Sequence, residues 1–244
     1  MKKEKQRALD LIRSNIASYG YHVYVIAGGP LPRFSYTIGL KEAIGYELIM
    51  PGSYFYSANE IKKIIDGVAD LIKSQPSKID LELKINSLGS FKLRKADDSW
   101  TKKLMLGALD FYSLEEISAL QIIPDPDHWT IDIPDLSESW SIHKAPIWRW
   151  LNEVWSCQSI SDRSVAVTNL RALRGEKITE ATRWEDDQWE LFAGSGPDTL
   201  PAEVRVVPLG MFLAFDTSLI KVVNLELGHA LWRDKHETEW HIWG

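Results

Sequence analysis

The stretch YHVYVIAGGPLPRFSYTIGL, residues 21–40, decides the class of fold. Its two ends, YHVYVIA (21–27) and RFSYTIGL (33–40), are dense in aromatic and β-branched residues, which suit a pleated, half-buried surface. GGPLP (28–32) between them breaks regular structure, so the pair predicts a hairpin with a long loop. The glycine pair is no phosphate cradle, because neither a following Gly-Lys-Ser/Thr nor a third glycine opening a helix is present. Upstream, Leu9, Ile12 and Ile16 recur three and four apart among polar residues, one stripe of an amphipathic helix that Gly20 ends. Downstream, YELIM (46–50) reads as another buried strand. A helix follows through Ile61, Ile64, Ile65, Val68, Leu71 and Ile72, with Ser57 or Asn59 as its cap and Pro76 beyond its end. DLELKIN (80–86) and SFKLRK (90–95) alternate apolar and polar residues and predict a hairpin with one wet face. Lys84, Lys92, Arg94 and Lys95 lie on that face, as a solvated surface or a docking patch for an acidic partner.

The second half repeats the mixture. Pro146 suits a first helical turn, followed by an apolar stripe of Ile147, Leu151 and Val154 or Trp155, with Trp148 on that side and Trp150 off it. SVAVTNLRAL (164–173), KITEATRW (177–184), QWELFAG (188–194) and AEVRVV (202–207) read as strands, with EDD (185–187) as a hairpin turn. PLGMFLAF (208–215) and SLIKVVNLEL (218–227) read as short helices, the second capped by Asp216 and stopped at Gly228. HALWRD (229–234) and EWHIWG (239–244) close as a terminal hairpin. The expected class is α+β: two small mixed domains, each an antiparallel or mixed sheet packed with helices.

Composition bounds the function. With 244 residues, 45% hydrophobic and 25% charged, the chain can bury a core without staples. The lone Cys157 excludes an internal disulfide framework and a four-cysteine zinc site. A net charge of −6 speaks against a general nucleic-acid binder. The basic N-terminus lacks the apolar core of a signal peptide, and no run of about 18 apolar residues occurs, so neither a membrane role nor export is expected and the location reads as cytoplasmic. Residues 1–105 carry 17 Lys and Arg against 11 Asp and Glu, a net +6; residues 106–244 carry 11 against 23, a net −12. Ten of the eleven tryptophans also lie after residue 105. Two compositions predict two domains: 1–135, then a Trp-, Pro- and Ser-rich connector at 136–163 with a short helix, then an acidic Trp-rich domain at 164–244.

Three pieces, YTIGL (36–40), GYELIMPG (45–52) and LQIIPDPD (120–127), resemble in order and spacing the bacterial domain-of-unknown-function family 4262 (DUF 4262). The resemblance covers about residues 8–135 and implies no established activity. Tyr46 departs from it, standing where that family has proline. Gly39 within a strand suggests a bulge or close backbone approach, and Glu47 suits a lysine partner or a backbone cap. DTSL (216–219) and GHALWR (228–233) are similar to a small module of bacterial immunity- and stress-type proteins, in which a Trp-bearing hairpin precedes those two pieces.

Two clusters bear on chemistry. Asp125, Asp127 and His128, followed by Asp132 and Asp135, combine carboxylates with an imidazole, the raw material of acid–base work; Asp125, Asp127 and His128 are the catalytic candidates. His229, His236, Glu237, Glu239 and His241 form the other, but lack the helical His-Glu-x-x-His spacing of a zinc site. Cys157, in an acidic Ser-rich segment, lacks an electropositive setting for nucleophilic work. No cofactor and no metal are expected. The expected function is therefore a non-catalytic protein-binding module, in concrete form an antitoxin-like immunity protein masking a basic toxin or effector. Its partner-binding candidates are Trp150, Trp240, Trp243, Asp186 and Asp187. The rival reading is an enzyme with an acidic/His site near Asp125–Asp135.

Overall fold

A computed structural model describes residues 2–75, 82–157 and 159–243. The chain divides into two compact units. The first comprises residues 1–26, 33–128 and 133–140; the second comprises 27–32, 129–132 and 141–244. Each is built on a six-stranded mixed sheet with helices, an α+β architecture.

In the first unit the sheet runs β1-β2-β3-β6-β5-β4, where β1 is His22–Ile26, β2 Phe34–Ile38, β3 Glu47–Pro51, β4 Leu83–Lys84, β5 Ser90–Lys95 and β6 Ala119–Pro124. Its pairs are antiparallel except β3 with β6, which places a late strand in the middle of an earlier meander. The helices are α1 (Lys2–Tyr19), α2 (Lys41–Ile44), α3 (Ala58–Ser74), α4 (Asp98–Leu104) and α5 (Leu106–Tyr112). Ser57, not Asn59, caps α3, and Glu60 returns a bond to the Ser57 amide, closing a capping box. The α3 stripe Ile61, Ile64, Ile65, Val68 and Ile72 packs with Leu48, Met50, Leu120 and Ile122 into the main core cluster. Residues alternate across a strand, so Tyr36 and Ile49, which pair in register, face the other way. There Gly107 of α5 donates its N–H to the Tyr36 hydroxyl at 3.1 Å. The predicted helix stripe of Leu9, Ile12 and Ile16 is the inward side of α1, while Leu11 is exposed. Lys84, Lys92, Arg94 and Lys95 are exposed as expected; residues 80 and 81 of that predicted hairpin lie outside the described residues.

In the second unit the order is β10-β7-β9-β8-β11-β12, with β7 Val165–Asn169, β8 Glu180–Glu185, β9 Gln188–Phe192, β10 Val204–Pro208, β11 Ala230–Trp232 and β12 His241–Ile242. β7 and β9 pair in parallel and the other pairs are antiparallel. Its helices are α6 (Leu170–Leu173) and α7 (Leu209–Phe215). The strand expected over 164–173 ends at Asn169, whose side chain accepts from the Ala172 N–H and starts α6. The helices expected after Pro146 and Asp216 form as 3-10 segments, Pro146–Leu151 and Thr217–Asn224. Ala166, Ala181, Trp189, Leu191 and Val207 form the sheet's buried face, and the Trp189 indole donates to the Val222 carbonyl of the second 3-10 segment at 3.4 Å.

The stretch 136–163 is packed rather than strung out. Leu136 is fully buried in the first unit, and Ile147, Trp148 and Ile160 are buried in the second. The Trp148 indole donates to the Asp132 carbonyl at 3.0 Å. Charge is also partitioned differently from the −12 of residues 106–244. The second unit holds 11 Lys and Arg against 16 Asp and Glu, a net −5, and the first holds 17 against 18, a net −1. Much of the acid stretch after residue 105 folds into the first unit, where Asp110, Glu116 and Asp135 pair with Lys5, Lys102 and Arg94.

Candidate functional site

The quoted motifs of the first unit turn inward. Glu47 is fully buried at the start of β3. One carboxylate oxygen accepts from the Thr37 hydroxyl at 2.6 Å and the Leu40 N–H at 3.3 Å. The other accepts from the N–H groups of Gly39 (2.8 Å) and Lys41 (3.2 Å) and from the Tyr112 hydroxyl (2.6 Å). Burial, and then the adjacent carboxylate, push the Tyr112 phenol above its ordinary range. Gly39 has φ +115°, and a Cβ there would lie 2.9 Å from Ile16, so this turn admits no other residue without strain. Gln121 is likewise fully buried, donating to the Pro134 carbonyl and accepting from the Leu136 N–H. Thr37, Gly39, Glu47 and Gln121 therefore clamp backbone that crosses between elements. Of the two roles the sequence left open for Glu47, the cap is the one it fills.

Asp125 and His128 are the motif residues that approach the surface. His128 Nδ1 lies 2.6 Å from Asp125 Oδ1, and Asp125 Oδ2 accepts from the Ser90 N–H at 2.7 Å. The imidazole stacks on Tyr56 at 5.6 Å and meets Phe55 edge-on at 4.7 Å. Burial opposes ionisation of Asp125, but the bonds from His128 and Ser90 outweigh it and hold its carboxyl below the usual range. A Cβ on Gly89 would fall 2.8 Å from the Asp125 carboxylate, so the backbone passes tightly over the pair. Asp127 is exposed on the adjoining 3-10 turn, Asp132 is fully buried in the second unit, and Asp135 is bound to Arg94 and Ser137. The structure thus joins two of the three catalytic candidates into an Asp–His pair. Among the described residues, no three His, Cys, Asp or Glu side chains are grouped to hold a metal. A cleft of about 590 Å³ between α1, β1 and α3 carries Asp66, but that carboxylate is already engaged by Tyr21 and Lys62.

The second unit presents an open sheet face. Opposite the buried row, register sets Val206 beside Val167, Val167 beside Glu190, Glu190 beside Thr182, and Thr182 beside Ala230. The Trp243 N–H donates to the Ala230 carbonyl, which extends the row. A neighbouring row runs Phe192, Glu180, Trp232 and His241. Trp184 stands at a bulge in β8, where the register shifts between Arg183 and Glu185. Trp184 is 55% exposed, Trp243 54% and Val206 57%. Between Trp184 and Trp243 lies a groove of about 440 Å³, lined also by Phe192, Ala230, Glu180 and Glu190.

The partner-binding candidates separate accordingly. Trp243 is on this face. Trp150 is half-buried within the unit: its indole donates to the Gly210 carbonyl and its ring packs on Trp155 at 4.9 Å. A 3-10 segment turns by about 120° per residue, so the stripe drawn for an α-helix misplaced it. Trp240 is half-buried with the Arg233 guanidinium 4.1 Å from its ring centre. Asp186 and Asp187 are exposed at the β8–β9 turn, and Asp187 accepts from the Ser164 hydroxyl. Trp184, Trp232, Glu180 and Glu190 were missed. The alternation in QWELF, with Trp189 and Leu191 inward, already sends Glu190 to the other side, where Phe192 is nonetheless buried.

The motif pieces DTSL and GHALWR also meet. Arg233, its side chain wholly buried, donates to Asp216 (2.8 Å), the Ser218 hydroxyl (2.6 Å) and the Ile178 carbonyl (2.7 Å). Burial again opposes the Asp216 charge, yet bonds from Ser218 and Arg233 hold its carboxyl below the usual range.

Among the described residues no helix is long and apolar enough to cross a membrane. No curated protein and no solved structure matches the chain. One family does: the model described as "Domain of unknown function (DUF4262)" matches residues 15–129. That span runs from within α1 past β6 and contains the Glu47 clamp and the Asp125–His128 pair, so the DUF4262 match falls on residues 15–129, most of them in the first unit.

Proposed function

We propose that this protein is a non-catalytic binding module whose second unit docks a basic protein partner on its open sheet face. In its concrete form it is an antitoxin-like immunity protein of bacterial cytoplasm. The observation that carries the reading is the exposure of Trp184, Trp243 and Val206 on one face of a sheet whose other face is core. Exposed apolar side chains gathered on one sheet face mark interaction sites, and tryptophan is the residue most often found as their anchor. The net −5 of the second unit favours a basic partner. Most of the attraction must be local, because the Debye length at physiological salt is about 8 Å.

The test is titration of the partner recovered from the native host against wild type, Trp184→Ala, Val206→Glu and Trp150→Ala. The two face variants should lose about 2 kcal/mol or more of binding. Trp150→Ala, once shown to be folded, should bind as wild type. Full affinity in both face variants overturns the reading.

An enzyme reading is favoured by one observation, the Asp125–His128 hydrogen bond, which is the orientation a general base uses. Asp125→Asn and His128→Gln discriminate: loss of partner binding in neither, with loss of a hydrolytic activity in both, would move that reading ahead.

A further inference from the structure

The groove on the open face has a composition that specifies more than a greasy patch, and what it specifies rests on the binding reading above. Its walls are Trp184 and Trp243. Between them the sheet row contributes the small residues Thr182 and Ala230, and Phe192, Pro197, Leu231 and two glycines complete the apolar lining. Glu180 and Glu190 are the ionisable residues of the lining, and no Lys, Arg or His contributes to it. The nearest basic residue in sequence, Arg183, points to the opposite face, where its guanidinium donates to the carbonyls of Leu225 and Asp186. Glu180 accepts from the Gly196 N–H through one oxygen. The Glu190 carboxylate makes no hydrogen bond or ion pair with any described residue, although Glu190 is half-buried. Glu190 and Trp243 are three strands apart, roughly 14 Å between backbones at the usual strand spacing. A flat group can therefore lie across the floor between aromatic walls, with carboxylates at one end.

We propose that this groove binds one arginine side chain from a basic segment of the partner. The guanidinium would stack on Trp184 or Trp243 and donate to Glu190, and to the remaining oxygen of Glu180. Arginine fits better than lysine because its planar fork matches a carboxylate, stacks on an indole and sheds water more easily. A neutral apolar side chain would fill the walls but leave the Glu190 carboxylate and the second Glu180 oxygen unpaired, at a desolvation cost.

The test uses the full chain with labelled tryptophan indoles, their signals assigned by single Trp→Phe variants. The probes are the peptide acetyl-Gly-Gly-Arg-Gly-Gly-amide and its citrulline and lysine counterparts. The arginine peptide should shift the Trp184 and Trp243 signals saturably and leave that of Trp100 unmoved. The citrulline peptide, isosteric but neutral, should bind about tenfold more weakly or worse, and Glu190→Gln should weaken the arginine peptide similarly. Equal response to citrulline, no response to arginine, or an unaffected Glu190→Gln variant overturns the proposal; a stronger response to lysine overturns the choice of arginine. Val206→Glu separates this failure from that of the face itself, because Val206 lies outside the groove. If that variant loses the partner while no arginine peptide binds, the groove assignment fails and the face reading stands. If the arginine peptide binds but Val206→Glu and Trp184→Ala keep full partner affinity, the face reading fails and the groove assignment stands.

Discussion

Replacing Arg233 with alanine should lower the stability of the second unit substantially. The side chain is wholly buried, and three donors are satisfied at once by Asp216, Ser218 and the Ile178 carbonyl. Its guanidinium also lies over the Trp240 ring. Truncation leaves the Asp216 carboxylate, 23% exposed, without its counter-ion and the Ile178 carbonyl without that donor. Removing one member of a buried pair costs about 3–5 kcal/mol, and the partial exposure of Asp216 puts the expectation near ~3 kcal/mol. With a urea slope of about 2 kcal/mol/M, the midpoint should fall by roughly 1.5 M. Arg233→Lys keeps the charge but not the fork, and should lose an intermediate amount. Urea titration followed by tryptophan fluorescence measures all three proteins. The carboxyl of Asp216 is held below its ordinary range, so its contribution is complete above the unfolded value of about 3.9 and drains away as pH falls through the lower folded value. The gap between wild type and Asp216→Asn should therefore be widest at neutral pH and narrow below about pH 4. A midpoint shift in Arg233→Ala equivalent to less than about 1 kcal/mol would mean that the DTSL and GHALWR pieces are not held together by this network.

Glu47→Gln turns an acceptor of five donors into a group with its own N–H₂ facing some of them, and should lower the first unit's stability by about 3 kcal/mol in thermal unfolding. Trp150→Ala should cost about 3 kcal/mol or more of stability through its lost packing, checked by calorimetry, while Trp243→Ala should leave the melting temperature within a few degrees of wild type. Trace protease should nick first at residues 153–157, where regular structure is absent and Val154 is 88% exposed; mass spectrometry of the first fragments decides. Asp125→Ala removes the acceptor of the Ser90 N–H and of His128, and should cost about 1–2 kcal/mol in urea.

The strands around Tyr36 and Leu48 were legible as short runs rich in aromatic, β-branched and apolar residues, which are buried on both faces. The strand at Phe91 and the helix at Ile61–Ile72 were legible from period two and period 3.6, because each buries one face. What depends on a single side chain was not legible in the same way. Asn169 reads as one more polar residue in a strand until its side chain is seen to cap the next turn. The short segment after Pro146 forms as 3-10 rather than α, and that difference carries Trp150 from the surface to the Gly210 carbonyl. Charge misled for a different reason. All but one of the acids of residues 106–140 fold into the first unit, where Asp110, Glu116 and Asp135 pair with lysines and arginines beside them. Among the site candidates, Asp125 and His128 stood out only as members of a cluster of acids and an imidazole, while the groove depended on knowing which strands are neighbours.

The placement of β6 between β3 and β5 bears on how the chain is made. Until residues 119–124 leave the ribosome, β3 and β5 each present an unpaired edge, with Leu48, Met50 and Phe91 on strands that have no central neighbour. The same holds on a smaller scale in the second unit, where β9 must slip between β7 and β8. Neither sheet can zip up as a growing row of hairpins, so both depend on contacts distant in sequence, which slow folding relative to a meander. A fragment ending before Ala119 would therefore be an adhesive with two open edges rather than a smaller version of the first unit. A cut for separate expression therefore belongs beyond residue 140, because residues 133–140, with the buried Leu136 that Gln121 holds, are part of the first unit.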